Sequence, residues 1–274
     1  MVKLTKAELV FIICITLLAI SNFLTYNYYN NRVEEKDKSY IELGKQKDEL
    51  SKRYLEFENK IFYEAESNCT AVTIVYYTNF SQNRQIISFS VPYETYNASH
   101  TKNHPYWGIQ NLTSASEYVS DNEPIIKQIV ETIKNRTKSE EELANALLDF
   151  VQDKGQSLSI RYYPTTELKY PIETLVEMGG DCDTHSFLYG TLMKTAGFKV
   201  LILISNETLG DGQYHIATAI HLANPPEKSL PDYSDYYLTS DGEKYYYAET
   251  TNVGWRVGDL PPMYENVTFN SISI

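Results

Sequence analysis

The segment Gly179-Gly180-Asp181-Cys182-Asp183-Thr184-His185-Ser186-Phe187-Leu188-Tyr189-Gly190-Thr191-Leu192-Met193-Lys194-Thr195-Ala196-Gly197-Phe198 constrains this chain more than any other. Two glycines and an aspartate form a loop and a helix N-cap. A helix therefore starts at or beside Cys182, and Gly197 can take the left-handed conformation that ends it. Phe187, Leu188, Leu192 and Ala196 recur at helical spacing, which makes this a core helix. The fold must hold one thiol at the N-terminal end of a buried, rigid support. Free backbone N–H groups and the helix macrodipole favour thiolate there, and with a cationic neighbour they lower a cysteine pKa from ~8.5 to roughly 3.5–7.5.

Downstream, residues 199–205 form a short continuous apolar run that reads as a buried strand, and residues 214–221 and 244–251 read as two more. His215 stands on the second and Glu249 on the third. The order is Cys, His, acid, with spacings of 33 (215 − 182) and 34 (249 − 215). Nucleophilic thiol catalysis uses these residue types. His215 would take the proton of Cys182 and later give it to the leaving amine, while Glu249 would fix the tautomer and stabilise the imidazolium. The backbone N–H of Cys182 would be one oxyanion donor, with Gln152 and nearby tyrosines as candidates for a second.

Other readings of the same residues stand beside this one. Cys182 could pair with Cys69 as a structural half-cystine, since an exported chain allows it. His185, one turn after Cys182, is a rival base on the same helix face. Cys182, His185, His215 and His221 could be taken for a zinc set, but that set lacks a second tight pair, so neither metal nor cofactor is expected. Tyr162, Tyr163 and Tyr170 are candidates to line a groove, though strand tyrosines at a surface are common.

The rest of the chain supplies context. Residues 9–26 are an apolar run of 18 behind Lys3 and Lys6, just long enough to cross a bilayer core of ~30 Å. A cleaved signal peptide competes with an uncleaved anchor. Phe23 and Leu24 extend the run past Ala19-Ile20-Ser21, and Tyr26, Tyr28 and Tyr29 follow as an interfacial belt, which favours the anchor. The N-terminus would then be cytoplasmic, the chain beyond about residue 30 extracellular and Cys14 in lipid.

Heptad positions 33, 40, 47, 54 and 61 with 36, 43, 50 and 57 are apolar or aromatic in seven cases of nine, which reads as a helical stalk or coiled coil. A single amphipathic helix remains the alternative. Gly44 and the seam lysines Lys36 and Lys47 limit any homodimer to a weak one. Two strands at 70–77 and 85–92 flank a polar turn at 79–84, polar loop chemistry runs to about 122, and helices start at Pro124 and at Ser139. Ser139 with Glu142 forms a capping box. The organisation is thus 1–30 anchor, 31–63 stalk, 64–122 β-rich extension and 123–274 core. Sequons at Asn68, Asn79, Asn97, Asn111, Asn135, Asn206 and Asn266 all follow the apolar run, as a glycosylated outward domain would allow. A net charge of −12 argues against nucleic acid or an anionic membrane surface as the main partner.

Phe150-Val151-Gln152, Tyr170-Pro171-Ile172-Glu173-Thr174-Leu175, Gly179-Gly180-Asp181-Cys182-Asp183, Tyr214-His215 and Tyr247-Ala248-Glu249-Thr250-Thr251 with Gly254-Trp255 and Gly258 occur in that order. Together they resemble the transglutaminase-like cysteine-peptidase superfamily, especially its archaeal, membrane-anchored members, over roughly residues 139–262. The resemblance implies an α+β, papain-related core, a Cys-bearing helix on an antiparallel sheet, with Cys182, His215 and Glu249 as the triad. Glutamate stands where most members have aspartate, and Thr184 and His185 depart from the usual residues after the cysteine. The function implied is a membrane-anchored thiol hydrolase, a peptidase or amidase or else a transamidase, acting on a peptide or amide-containing envelope substrate through a thioester. A catalytically silent relative that binds peptides or envelope polymers, or a stalked structural protein, is the alternative.

Overall fold

β-Branched and aromatic residues fill the first two apolar runs, and they form strands β1 (Cys69–Thr78) and β2 (Asn83–Pro92), paired antiparallel from Cys69↔Pro92 to Thr78↔Asn83. The structure is a computed structural model that describes residues 69–78, 83–105, 112–120, 122–155, 158–206, 208, 214–227 and 236–274. The apolar run at 9–26, the stalk at 31–63 and the sequons at Asn68, Asn79 and Asn111 lie outside the described residues. Among the described residues no helix is long and apolar enough to cross a membrane.

Polar loop chemistry is expected after the hairpin, but helix α1 (Tyr93–His100) follows it directly. Its sequence has little apolar periodicity. Tertiary contact rather than propensity holds it, through Tyr96, which packs on the main core. A short helix α2 (Ala115–Tyr118) precedes α3 (Pro124–Lys134), which starts with proline at N1 and buries Ile126, Ile129, Val130 and Ile133. Helix α4 (Glu140–Val151) is capped by Ser139, whose side chain accepts from the Glu142 N–H at 3.1 Å. The Glu142 carboxylate closes on the Lys138 N–H, one residue further out than a standard capping box puts it. Ser139→Ala is expected to lower stability by about 1 kcal/mol; a shift of the urea midpoint at constant slope is the readout.

Strand β3 (Arg161–Tyr162), helix α5 (Pro171–Glu177), strand β4 (Gly179–Gly180) and helix α6 (Cys182–Thr195) come next. β3 and β4 pair in parallel, which ties the loop ahead of Cys182 to a preceding segment. Both glycines are required there. A Cβ on Gly179 would sit 2.2 Å from the Arg161 carbonyl oxygen, and one on Gly180 would sit 2.5 Å from Thr184 Cγ2. Asp181 caps α6 and Gly197, at φ +96°, follows its end, as the sequence pattern requires.

The chain closes with β5 (Val200–Ser205), β6 (Ile216–His221), β7 (Tyr237–Ser240), β8 (Glu243–Ala248) and β9 (Phe269–Ser273). They form a five-stranded sheet in the order β7-β8-β6-β5-β9, antiparallel throughout. α6 packs on β5 and β6. All six residues of β5 are buried, because both faces of the sheet are covered. Ile202 and Ile204 meet Phe187 and Tyr118 on one side, while Leu201 and Leu203 share the other with Tyr245, Tyr247, Leu260 and Tyr264. Val72, Ile74, Ile87 and Phe89 of the hairpin join one cluster with α3, α4 and α6, so hairpin and helices share a core.

Candidate active site

Helix α6, the start of β6 and the end of β8 carry the three predicted residues. Cys182 is the first residue of α6. His215 lies one residue before β6, where its N–H donates to Ser205 Oγ at 2.8 Å and its carbonyl accepts from the Ser205 N–H at 2.9 Å. Glu249 follows the last residue of β8. Two antiparallel neighbours, β6 and β8, bring the imidazole and the carboxylate together across 34 residues of sequence (249 − 215).

His215 Nε2 and Glu249 Oε2 are 3.0 Å apart, with both side chains buried. The Tyr247 hydroxyl donates to the same carboxylate oxygen at 3.0 Å and lies 3.2 Å from the imidazole nitrogen. On the other side of the carboxylate, Oε1 accepts from the Thr251 N–H at 3.0 Å and from the Thr251 hydroxyl. Every oxygen of this buried acid is therefore satisfied. Burial alone would raise the Glu249 carboxyl. The hydrogen bond and charge of His215, then the donors of Thr251, outweigh it and hold the group below its ordinary range. Tyr264 stacks on the imidazole at 4.2 Å between centroids, which fixes the ring plane.

The sulfur tells a different story from the sequence expectation. Residue 182 as a whole is half-buried and its thiol is free, but the sulfur is surrounded by protein. Burial first, then the carboxylates of Asp183 and Asp181, push the thiol up rather than down. The Ile216 N–H, which lowers it, and the more distant Glu249, which raises it, complete the balance. The helix N-terminus does favour thiolate, but among the described residues two acids stand beside the sulfur and no Lys or Arg acts on it. Among the described residues no hydrogen bond joins Sγ to the imidazole; the ring makes its contacts through Nε2, so Nδ1 is the nitrogen left to face a thiol.

Thr184 has a clear place in this balance. Its hydroxyl is fully buried, 3.0 Å from Asp181 Oδ1 and 3.1 Å from Asp183 Oδ1, and holds the two acids together. Burial and then Asp181 push the Asp183 carboxyl well above its usual range. Asp181→Asn keeps an N-capping side chain, and because burial is the first cause that holds the Asp183 carboxyl up, the change lowers the negative charge beside the sulfur. Iodoacetamide labelling of Cys182 at neutral pH is expected to speed up several-fold in that variant, each unit of thiol pKa being worth about 1.4 kcal/mol. An unchanged rate would remove Asp181 from the account.

Cys69 and Cys182 are both free thiols, so they form no disulfide. His185 is fully buried, with Nδ1 3.2 Å from the Thr250 carbonyl and Nε2 3.3 Å from that of Arg161. Burial lowers its pKa against the pull of those carbonyls, and with both ring nitrogens turned to backbone it presents neither to the thiol. His221 turns to the Lys244 carbonyl at 3.0 Å, and the zinc set of Cys182, His185, His215 and His221 does not gather. Gln152 is no oxyanion donor, because its amide hydrogens go to the carbonyls of Glu249 at 2.8 Å and Trp255 at 3.0 Å. It positions the acid instead. Tyr162 and Tyr163 are exposed, but Tyr170 is buried and donates to the Asn103 carbonyl.

Sequence reasoning missed Tyr247, Thr251 and Tyr264. The first two had a signal, since residues 247, 249 and 251 share a face at the two-residue period of a strand. Tyr264 had none, because it arrives from a 3₁₀ turn (Pro262–Tyr264) on a different segment.

No protein-family model matches the sequence, and no curated protein matches it. Among solved structures, one described as "Crystal structure of a TGase" aligns over 68% of this chain and 53% of its own, at 13% identity and a TM-score of 0.27. The chain thus spans about half the length of that transglutaminase. It is a mixed helix-and-sheet protein with a weak likeness to a transglutaminase structure, and its chemistry has to be read from its own side chains.

Proposed function

We propose that this chain is a transglutaminase-like, papain-related thiol hydrolase, a peptidase or amidase or else a transamidase, that works on amide bonds through Cys182, His215 and Glu249. One observation carries the reading: a buried, fully satisfied His215–Glu249 pair stands at the sheet end beside a helix-borne thiol whose sulfur lies close enough to Ile216, the residue next to that histidine, to feel its N–H. A buried pair of this kind costs desolvation and adds little to stability, which favours a chemical use for it.

In the reaction the thiol proton passes to His215 Nδ1 as sulfur attacks the amide carbonyl carbon. The tetrahedral oxyanion faces the backbone N–H of Cys182, which at the first helical position has no intrahelical acceptor. Collapse breaks the C–N bond, and the imidazolium gives its proton to the departing amine. Water then releases the acid from the thioester, or a second amine takes the acyl group. Glu249 remains ionised and holds the imidazolium throughout. The resting sulfur makes no hydrogen bond to the imidazole, so the two must close when substrate enters; hydrogen bonds of resting sites often tighten only in the complex.

In the same proposal the apolar run at 9–26 anchors the chain with its N-terminus cytoplasmic, the stalk carries the domain outside, and the substrate is a peptide or amide-containing envelope polymer. The sequon asparagines among the described residues, Asn97, Asn135, Asn206 and Asn266, are exposed, which supports an outward domain. A second reading, a silent relative that binds peptides in the same cleft, is favoured by the raised thiol and its lack of a bond to the imidazole.

One experiment separates the two. The full-length chain in detergent is incubated with a panel of peptide amides, quenched in acid and weighed intact. An acyl adduct on Cys182 that is absent in Cys182→Ala supports the enzyme. No adduct, together with equal alkylation of Cys182 in wild type and His215→Ala, supports the binding protein.

A further inference from the structure

The described residues form a half-open cleft of about 510 Å³ in whose lining Cys182 takes no part; His100, His104, Lys169, Glu173 and Glu177 are among its lining residues. His100 ends α1, His104 follows it by four residues, and Glu173 and Glu177 stand one turn apart on one face of α5. Nδ1 of His100 is 3.1 Å from Glu173 Oε1 and 3.8 Å from Glu177 Oε1. One ligand atom from each of the three side chains lies within 4.8 Å of the others.

We propose that His100, Glu173 and Glu177 bind one divalent first-row transition ion of the zinc class, with the fourth coordination position open to the cavity. Bonds of ~2.0–2.1 Å in a tetrahedral zinc site put ligand atoms about 3.3 Å apart. The two separations at His100 straddle that value, and the oxygens of Glu173 and Glu177, within 4.8 Å of each other, would draw toward it around an ion. A nitrogen with two carboxylate oxygens suits zinc and its neighbours, whereas calcium and magnesium take oxygen alone.

The geometry is prepared by the surroundings. Glu173 is buried to 3% exposure at its side chain. Its Oε2 is held by the Tyr170 N–H at 2.8 Å and by His104 Nε2 at 2.9 Å, which leaves Oε1 turned to His100. That is the role an outer-shell partner plays at a metal centre. Among the described residues two carboxylates converge here against one ammonium, Lys169, which touches Glu177 Oε2 at 2.7 Å. Glu177 Oε1 accepts from the Tyr96 hydroxyl at 2.8 Å and keeps a lone pair for an ion. A bound cation would offset the charge that Lys169 leaves unmatched.

The bland account is a set of hydrogen bonds locking α1 onto α5, and metal binding distinguishes the two. The full-length chain in detergent is stripped with chelator, and Zn²⁺ is titrated against a chromophoric competitor. One ion per chain is expected, with the same affinity in Cys182→Ser, which separates this site from the thiol. His100→Ala and Glu177→Gln should each weaken binding at least about tenfold, and His104→Ala by roughly 10–100-fold. His100 and Glu177 are both accessible to solvent, so circular dichroism of each variant reads folding separately. Binding of less than one ion, binding undiminished in His100→Ala and Glu177→Gln, or binding lost in Cys182→Ser would overturn the proposal. A failure here leaves the thiol chemistry untouched, and the reverse also holds.

Discussion

Cys182→Ala and His215→Ala should each lower amide turnover by at least about 10³-fold, and the double variant should be little worse than either alone. Residues that act as one unit are strongly non-additive: once the nucleophile is gone a base has no proton to take, and without the base a thiol pushed up by its surroundings stays protonated. The structure sharpens this expectation, because among the described residues no other base is placed to replace His215. His185 is buried with its ring nitrogens turned to two carbonyls, and the neighbouring acids disfavour thiolate. Turnover measured under single-turnover conditions, with the acyl adduct followed by mass, is the check. Losses that multiply in the double variant would mean that the two residues work independently and that the triad reading is wrong.

Glu249→Ala should cost about 3–5 kcal/mol of folding stability, the range found when one member of a buried pair is removed and its partner is left behind. His215 Nε2, the Tyr247 hydroxyl and both donors of Thr251 all lose their acceptor. Glu249→Gln keeps the shape and one oxygen, so its cost should be much smaller. The pH dependence follows from the direction of the shift. A carboxyl held below its ordinary value contributes stability that is complete above that ordinary value, about 4.3 for Glu, and lost as pH falls through the lower folded value. The gap between wild type and Glu249→Gln in urea unfolding should therefore narrow on acidification below about pH 4. A gap that is the same at neutral and acid pH would show that the charge of Glu249 does not act on the fold in this way.

The elements legible in the sequence were those whose pattern is complete within one stretch. Ser139 with Glu142 announced a helix start, Asp181 and Gly197 bracketed α6, and the β-branched run of β5 gave a strand buried on both faces. Helix α1 was not legible, because its stability comes from packing of Tyr96 rather than from a periodic apolar face. Nor were β7 and β9, short strands of mixed exposure that only the sheet defines. The pairing of His100 with Glu173 was out of reach for the same reason, since 73 residues separate them.

For the candidate site, the sequence by itself singled out three residues: a thiol at a helix start, a histidine at one strand and an acid at the next. That information is local, because a cap, a glycine pair and a two-residue period are properties of neighbours along the chain. The tertiary structure alone decided the state of the groups. Whether a thiol at a helix end is ionised depends on the sum of desolvation and nearby charge, and for Cys182 burial with Asp183 and Asp181 outweighs the helix N-terminus. Whether Glu249 stays ionised in a buried place depends on His215, which only the folded sheet brings to it across 34 residues, acting with the Tyr247 and Thr251 donors two residues to either side.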